Sequence, residues 1–496
     1  MSEHQAGTLT RYDQSSKLRR SLQLVYVYAL ATGAIYTFIG YWDGIFMSQA
    51  GPATFLSFGM MTLMVLPIAF VYSEMATMMP NTGAELVFNT IGLSKHFGFL
   101  SSWMIMAAWL VVPPAGIMGI VDWVAFSFNI EVSLGQLSLI TAVVLSVFCT
   151  LSLLNIQIAG RAQAFMLFSS LAIVLTTSIL FIFSKNASLS NFTPFIASGI
   201  SRAGETLTRQ GVPASGGYNW YGWMVGTALL VNPYFGFELV PQMVEEGTFP
   251  IKDQKKAIIG SVVTCGLIYS IFYFALQLVK PWGDLTNGGD MSPFIALKVI
   301  QEQLSWLPGW FWLFGIASVL FAIGTCVLGF WIGGVRLMYA MGRQGFLPKI
   351  FSKTNRFDQP IVPNIMILAL ALIQLSFQDA AFLQSFYTMM GFCCGTAYLI
   401  TVLSSIRLAA TKPHWERPYR LPGGMPFRIM ALVFCLFIML GTGLGQTAGS
   451  WRSMFVYILV GAALYLYMRV FRWTKNPVWM ICPSDDKPGE FVEKEF

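Results

Sequence analysis

Charge is scarce in this 496-residue chain: Asp, Glu, Lys and Arg together make up 11%, against about 25% in a typical soluble protein. So few charges exclude an ordinary water-soluble domain. With 55% hydrophobic residues and a mean hydropathy of +0.63, lipid is the expected main solvent. Histidine is rarer still, and all three (His4, His96, His414) fall in tails or loops. No His–acid pair or metal-ligand spacing sits in an apolar segment, so a polytopic membrane enzyme is disfavoured and no cofactor is implied. The seven cysteines show no disulfide or zinc spacing and are expected to be small buried hydrophobes. A cleavable leader is not expected either: the first twenty residues are polar and end in Lys17, Arg19 and Arg20.

Cutting at charged residues leaves twelve apolar segments near the ~20-residue length of a membrane helix. They run at 21–48, 52–78, 99–126, 132–159, 162–184, 218–246, 257–279, 305–335, 361–378, 380–406, 429–450 and 453–468, with only Asp379 separating the ninth from the tenth. An all-α polytopic membrane protein is the expected fold class. If the N-terminus is cytoplasmic, inner loops and tails hold 24 Lys and Arg and outer loops hold 6. That asymmetry puts both termini in the cytoplasm. The net charge of +7 is therefore a topology signal that meets anionic lipid headgroups, and no nucleic acid is needed to explain it. The stretches 1–16 and 476–496 are polar and expected to be mobile. The stretch 185–217 holds two glycosylation sequons, at Asn186 and Asn191, and has room for a short helix.

Two segments about 200 residues apart are interrupted by residues that a membrane helix avoids. The first carries Thr32-Gly33-Ala34 and then Gly40; the sixth carries Asn232-Pro233-Tyr234-Phe235-Gly236 and ends at Glu238. Unwound backbone at bilayer depth survives only where it lines a protein-enclosed cavity, so such paired breaks mark the binding site of a transporter. At Thr32, Gly33, Ala34 and Ile35 the expected outer half-helix presents free N–H groups suited to a carboxylate. The alternative is that Gly33 only permits close helix packing. In the sixth segment Pro233 removes a hydrogen bond and Gly236 loosens the next turn. Carbonyls near Val231 and Asn232 then suit an ammonium group, and Tyr234 and Phe235 offer aromatic faces, unless they merely pack. Glu238 lies at bilayer depth, where an ionised carboxylate is costly, so it is read as a proton-exchanging group or a neutral brace. Thr325 offers an oxygen to sodium or bonds its own helix. Asp43 and Asp122 are either an acidic vestibule or solvated headgroup-level carboxylates. Pro113-Pro114 should kink the third segment.

Four stretches resemble loops of the amino acid–polyamine–organocation (APC) superfamily. They are Tyr72-Ser73-Glu74…Pro80…Gly83, Gly236-Phe237-Glu238 with Glu245-Glu246…Pro250, LMYAMGRQGFLP at 337–348 and ERPYRLPGG at 416–424. The resemblance covers essentially the whole membrane region. It implies a 5+5 inverted repeat, 21–184 and 218–406, joined by the extracellular loop 185–217. A 1–20 tail precedes these units; accessory helices 11–12 with their preceding loop (407–475) and a 476–496 tail follow. It further implies a symporter or exchanger of amino acids or related amines in the cell membrane, with an organic-cation or polyamine carrier and a non-transporting nutrient sensor as alternatives. In some members the helix-six Glu, here Glu238, is tied to proton-dependent gating. In several sodium-independent members a Lys in the fifth segment replaces sodium; alignment puts Ser169 or Ser170 there, leaving proton, sodium and exchange open. The chain departs from the pattern where GSGIF becomes Thr32-Gly33-Ala34-Ile35-Tyr36, where PxxGGxY becomes PNTGAEL, and where Asn232 stands for a gating aromatic.

Overall fold

The computed structural model describes residues 18–36, 39–154, 156–208, 210–286, 294–376, 380–473, 478–486 and 490–496. Among these, nine helical stretches are long and apolar enough to cross a membrane. The first interrupted segment forms α1 (Leu24–Ile35) and α2 (Asp43–Ala50), after which the chain runs through α3 (Thr54–Met78), a loop helix α4 (Glu85–Gly92), α5 (Lys95–Ser127), α6 (Leu134–Ser152) and α7 (Ile156–Ile182). The sixth segment is α8 (Trp220–Leu229) and α9 (Leu239–Gln242), followed by α10 (Gln254–Val279), short helices α11 (Trp282–Thr286) and α12 (Ile295–Gln303), then α13 (Gly309–Gly315) and α14 (Ala322–Arg343), which are joined through a π turn. The chain closes with α15 (Ile361–Ser376), α16 (Ala380–Thr411), α17 (Gly424–Leu444) and α18 (Ala448–Phe471).

Helix starts follow local chemistry. Ser133 and Gln136 close a capping box at α6, and Thr447 caps α18 through the Ser450 amide. Outward faces are apolar: Leu139 and Val143 on α6, Phe165 on α7, Leu440 on α17 and Phe455 on α18 are all exposed. Water would make such a surface aggregate; hydrocarbon solvates it. Contacts join helices far apart in the chain. The first segment meets the sixth (α1 on α9), the second meets the seventh (α3 on α10), the third the eighth (α5 on α14) and the fourth the ninth (α6 on α15).

The four family-like stretches meet on one face, rich in Lys and Arg. Glu74 pairs with Arg417 and Arg428, each at 2.7 Å; Glu245 pairs with Arg343 at 2.6 Å, and Glu246 with Arg336 at 2.8 Å. The motifs are thus the two halves of buried ion pairs. The helix of the eighth segment outruns its apolar stretch: α14 continues to Arg343.

Several other expectations change. The 476–496 tail is no loose end: β1 (Trp479–Pro483) pairs antiparallel with β2 (Phe491–Glu495), adding a small hairpin to the helical fold. Val478, Met480 and Cys482 are buried beneath it, and Lys95 Nζ donates to the Phe496 carbonyl at 2.9 Å. Asp485 in the hairpin accepts from Lys412 Nζ at 2.6 Å and Trp415 Nε1 at 2.8 Å, which hold its carboxyl down at about 2. The helix of the twelfth segment is longer than expected, and α5 carries Pro113-Pro114 in its interior. The short helix expected in the 185–217 stretch is present as a 3-10 turn at Leu189–Phe192. Residues 1–16 and Asp379 lie outside the described residues.

Candidate functional site

Both expected interruptions exist, and they touch. In the sixth segment α8 ends at Leu229, Asn232–Tyr234 form one 3-10 turn around Pro233, and Phe235 is extended. Gly236 follows at φ +145, a conformation that only glycine adopts without strain. A Cβ placed on Gly236 would stand 2.8 Å from Ala34 Cβ, 2.9 Å from Ile35 Cγ1 and 3.0 Å from the Ala31 carbonyl. The glycine therefore lets one broken helix rest directly on the other.

The first break is displaced from its expected place. Thr32, Gly33, Ala34 and Ile35 form the last turn of α1, and the chain unwinds after them, with Gly40 at φ +96. These four residues consequently offer carbonyls at the negative end of a helix dipole, where N–H groups were expected. Three of these carbonyls already have a side-chain donor: Cys265 Sγ on Thr32 O (3.5 Å), Cys326 Sγ on Ala34 O (3.3 Å) and the Tyr269 hydroxyl on Ile35 O (2.6 Å); Gly33 O lies 3.4 Å from Thr325 Oγ1. Two cysteines expected to be plain apolar filler thus serve as weak donors.

Asp43 starts α2 and is wholly buried, so neither the vestibule nor the solvated reading fits it. Its carboxylate accepts from the Gly40 amide at 2.9 Å and the Tyr273 hydroxyl at 2.8 Å, filling the N-terminal end of α2 from within the chain. Asp122 is partly exposed and bonds Tyr41.

Tyr234 points away from the break: its hydroxyl donates to the Phe58 carbonyl (2.8 Å) and shares a hydrogen bond with Thr62 (2.7 Å). Phe235 packs its ring 5.9 Å from that of Tyr398. Glu238 is buried; its Oε2 accepts from the Gly236 amide (2.9 Å) and the Tyr398 hydroxyl (3.1 Å), and Trp109 Nε1 is turned towards the same carboxyl as a further donor. Thr32 Oγ1 and Asn232 Oδ1 are buried without a hydrogen-bond partner. Buried polar groups are normally satisfied, so unmet ones at both breaks point to a missing hydrogen-bonding partner.

The Thr325 hydroxyl is engaged with its own helix at Ala322 O (2.7 Å). Beside it sequence reasoning missed Gln163, a buried α7 residue whose Nε2 donates to Ala29 O (3.3 Å) and Thr325 O (2.8 Å), tying α1 to α14. Ser170, two turns on, donates to the Ala317 carbonyl (2.6 Å) in the π turn and lies 3.3 Å from the Tyr36 hydroxyl. The available signal for this tether is a Gln inside the apolar run 162–184.

Two helices broken at mid-chain, touching at their breaks and held in an apolar bundle, define a membrane transporter. The chain belongs to the amino acid permease family, within the APC superfamily: the family's sequence profile matches residues 22–464. Among its relatives is the methylthioribose transporter of Bacillus subtilis, 24% identical over 490 residues, covering 93% of this chain and 96% of that protein. The branched-chain amino acid permease BcaP of the same organism is 24% identical over 480 residues, covering 91% and 94%. The gamma-aminobutyric acid permease of Escherichia coli is 22% identical over 381 residues, covering 75% and 76%.

Proposed function

We propose that this protein is a proton-coupled carrier of a small amino acid or closely related amine. It would work by alternating access in the cell membrane, with the basic face and both termini cytoplasmic. The five-helix units would be 21–184 and 218–406, with 185–217 an extracellular loop and 407–475 accessory. The observation that carries this reading is the contact of Gly236 with Ala34 and Ile35, flanked by the unmet acceptors Thr32 Oγ1 and Asn232 Oδ1. Acceptors without donors suit a cargo that brings N–H groups. Sodium is disfavoured because Gln163 Nε2, a neutral donor, already bonds the Ala29 and Thr325 carbonyls, and the Thr325 hydroxyl is spent on Ala322. Glu238 is the coupling group in this reading, a buried carboxylate without an ion-pair partner among the described residues.

A second reading is a neutral thio-sugar as cargo, favoured by the methylthioribose transporter among the relatives, since sugar hydroxyls also supply donors. Thermal-shift titration of the purified protein with leucine, gamma-aminobutyric acid, a decarboxylated amine and methylthioribose separates the two. Stabilisation by an amino acid or amine supports the first reading; stabilisation by methylthioribose alone replaces it with the second. In liposomes Glu238→Gln should reduce pH-gradient-driven uptake at least tenfold, leave the thermal shift within about threefold in affinity, and respond to sodium no more than the parent does. A variant whose uptake follows pH as the parent's does would remove Glu238 from coupling.

A further inference from the structure

A second buried carboxylate stands beside Glu238, and the transport reading leaves it without a task. Glu85 opens α4 in the loop after α3 and has no exposed surface. Its Oε2 accepts from Gln242 Nε2 at 3.0 Å, and the Tyr72 hydroxyl is turned towards the same carboxyl as a second donor. Gln242 belongs to α9, four residues beyond Glu238, and its own Oε1 accepts from the Gly83 amide at 3.0 Å. The loop carrying Glu85 is therefore hung on the inner half of the broken sixth segment.

Tyr72 of α3 and Tyr398 of α16 fill the space between the two acids. Their rings lie 5.6 Å apart, with the Phe237 ring 5.2 Å from the first and 5.3 Å from the second. Tyr72 interacts electrostatically with both carboxyls, Tyr398 bonds Glu238, and Cys394 of α16 is the other titratable group facing both. Among the described residues neither acid is paired with Lys, Arg or His. The arginines of α14 are closed on Glu246 and Glu245 instead. Two carboxylates in a dry site with no cation between them do not both ionise; they titrate as a pair. Burial, and then the charge of Glu238, push the Glu85 carboxyl up to about 8.

We infer that Glu85 and Glu238 work as one unit holding a single exchangeable proton, with Glu85 the station that trades it with water at the basic face. This rests on the transport reading of the same site. While the face is closed, one member of the pair is the acid and the other the carboxylate. Parting the α4 loop from α9 exposes Glu85 first; its O–H proton passes to a water molecule, and the charge left behind is hydrated. Closure takes one proton back.

Infrared difference spectroscopy of the purified full-length protein, titrated from pH 5 to pH 9, reads protonated carboxyls without needing a cargo. The parent should lose one buried C=O stretch near the upper end of that range. In Glu238→Gln the remaining Glu85 band should titrate about one pH unit lower or more, because its like-charged neighbour is gone. If the Glu85 band titrates unchanged when Glu238 is replaced, the pairing is wrong. Should Glu85→Gln fail to fold, Glu85→Asp and the Glu238→Gln titration still decide it. Thermal stability provides a second readout. A carboxyl raised in the folded state binds more protons folded than unfolded, so its contribution to stability falls as pH rises from its ordinary 4.5 to about 8. Glu85→Gln should flatten that decline, and an equally steep decline would overturn the inference. Coupled titration with no effect of Glu238→Gln on uptake would instead defeat the transport reading and leave the pair standing.

Discussion

Arg336→Met is expected to destabilise the folded chain by about 3–5 kcal/mol, the usual consequence of stripping one partner from a buried ion pair. Arg336 Nε and Nη2 grip Glu246 at 2.9 and 2.8 Å, and Nη2 also donates to Gln359 Oε1 at 2.9 Å. The side chains are 2% and 0% exposed, so no water replaces the lost cation. The same Glu246 presents its backbone carbonyl to the amides of Ser21 and Leu22, both at 2.9 Å, and the Thr248 amide bonds back to Leu22 O at 2.8 Å. The start of the first segment is thereby fastened to the end of the sixth. Loosening Glu246 should open the basic face as well as lower the melting temperature. Cys265 and Cys326, buried against the carbonyls of α1, report on opening: their maleimide labelling should rise several-fold in Arg336→Met. The double variant Arg336→Met, Glu246→Gln should recover much of the stability, since it leaves no unpaired charge. Unchanged melting and unchanged labelling in the single variant would show that this pair does not hold the face shut.

That latch also explains what could be read from the chain beforehand. A near-absence of charge exposed the membrane class, and Gly and Pro inside two uncharged runs located the broken segments, because two such runs recur about 200 residues apart. Fine placement failed where a residue's role depends on a partner far along the chain. Gly33 was taken for the point of unwinding, yet its small size is required by Gln163 and Thr325: a Cβ there would lie 2.5 Å from Gln163 Nε2 and 2.7 Å from Thr325 Cβ. The true turn, at Gly40, depends on Asp43, and Asp43 on Tyr273, which is 230 positions away. Shifting the break to the end of residue 35 reverses the polarity of the site, from amides to carbonyls. Arg336 and Arg343 read locally as loop residues, because nothing nearby in the sequence announces Glu246 and Glu245, which pair with them inside the fold. Glu85 was passed over for the converse reason, since a carboxylate in a loop is ordinarily solvated. The hairpin at 479–495 escaped because its composition is that of a polar tail, and its order comes from contacts with Lys95, Lys412 and Trp415.

Gly236→Ala should have a large effect on function for a single added methyl. The residue sits at φ +145, where an L side chain costs about 1–3 kcal/mol. The added methyl would also meet Ala34 Cβ at 2.8 Å and the Ala31 carbonyl at 3.0 Å, and overpacking of this kind costs about 1–3 kcal/mol more. Two routes relieve that overlap. Either α1 retreats from the sixth segment, separating the breaks, or the 235–237 backbone rotates and withdraws the Gly236 amide from Glu238 Oε2, a bond of 2.9 Å. Both dismantle the arrangement proposed to hold cargo, so ligand-induced thermal stabilisation should be lost and uptake should fall at least tenfold, about 1.4 kcal/mol or more in the relevant free energy. Gly204→Ala is the control: it too has a positive φ, +83, but lies in the exposed 185–217 stretch with nothing within 4 Å of an added Cβ. It carries the backbone strain without the collision, so its uptake should stay near the parent's. Equal uptake by Gly236→Ala and the parent would mean that the two broken helices need not touch, and would move the cargo site away from their junction.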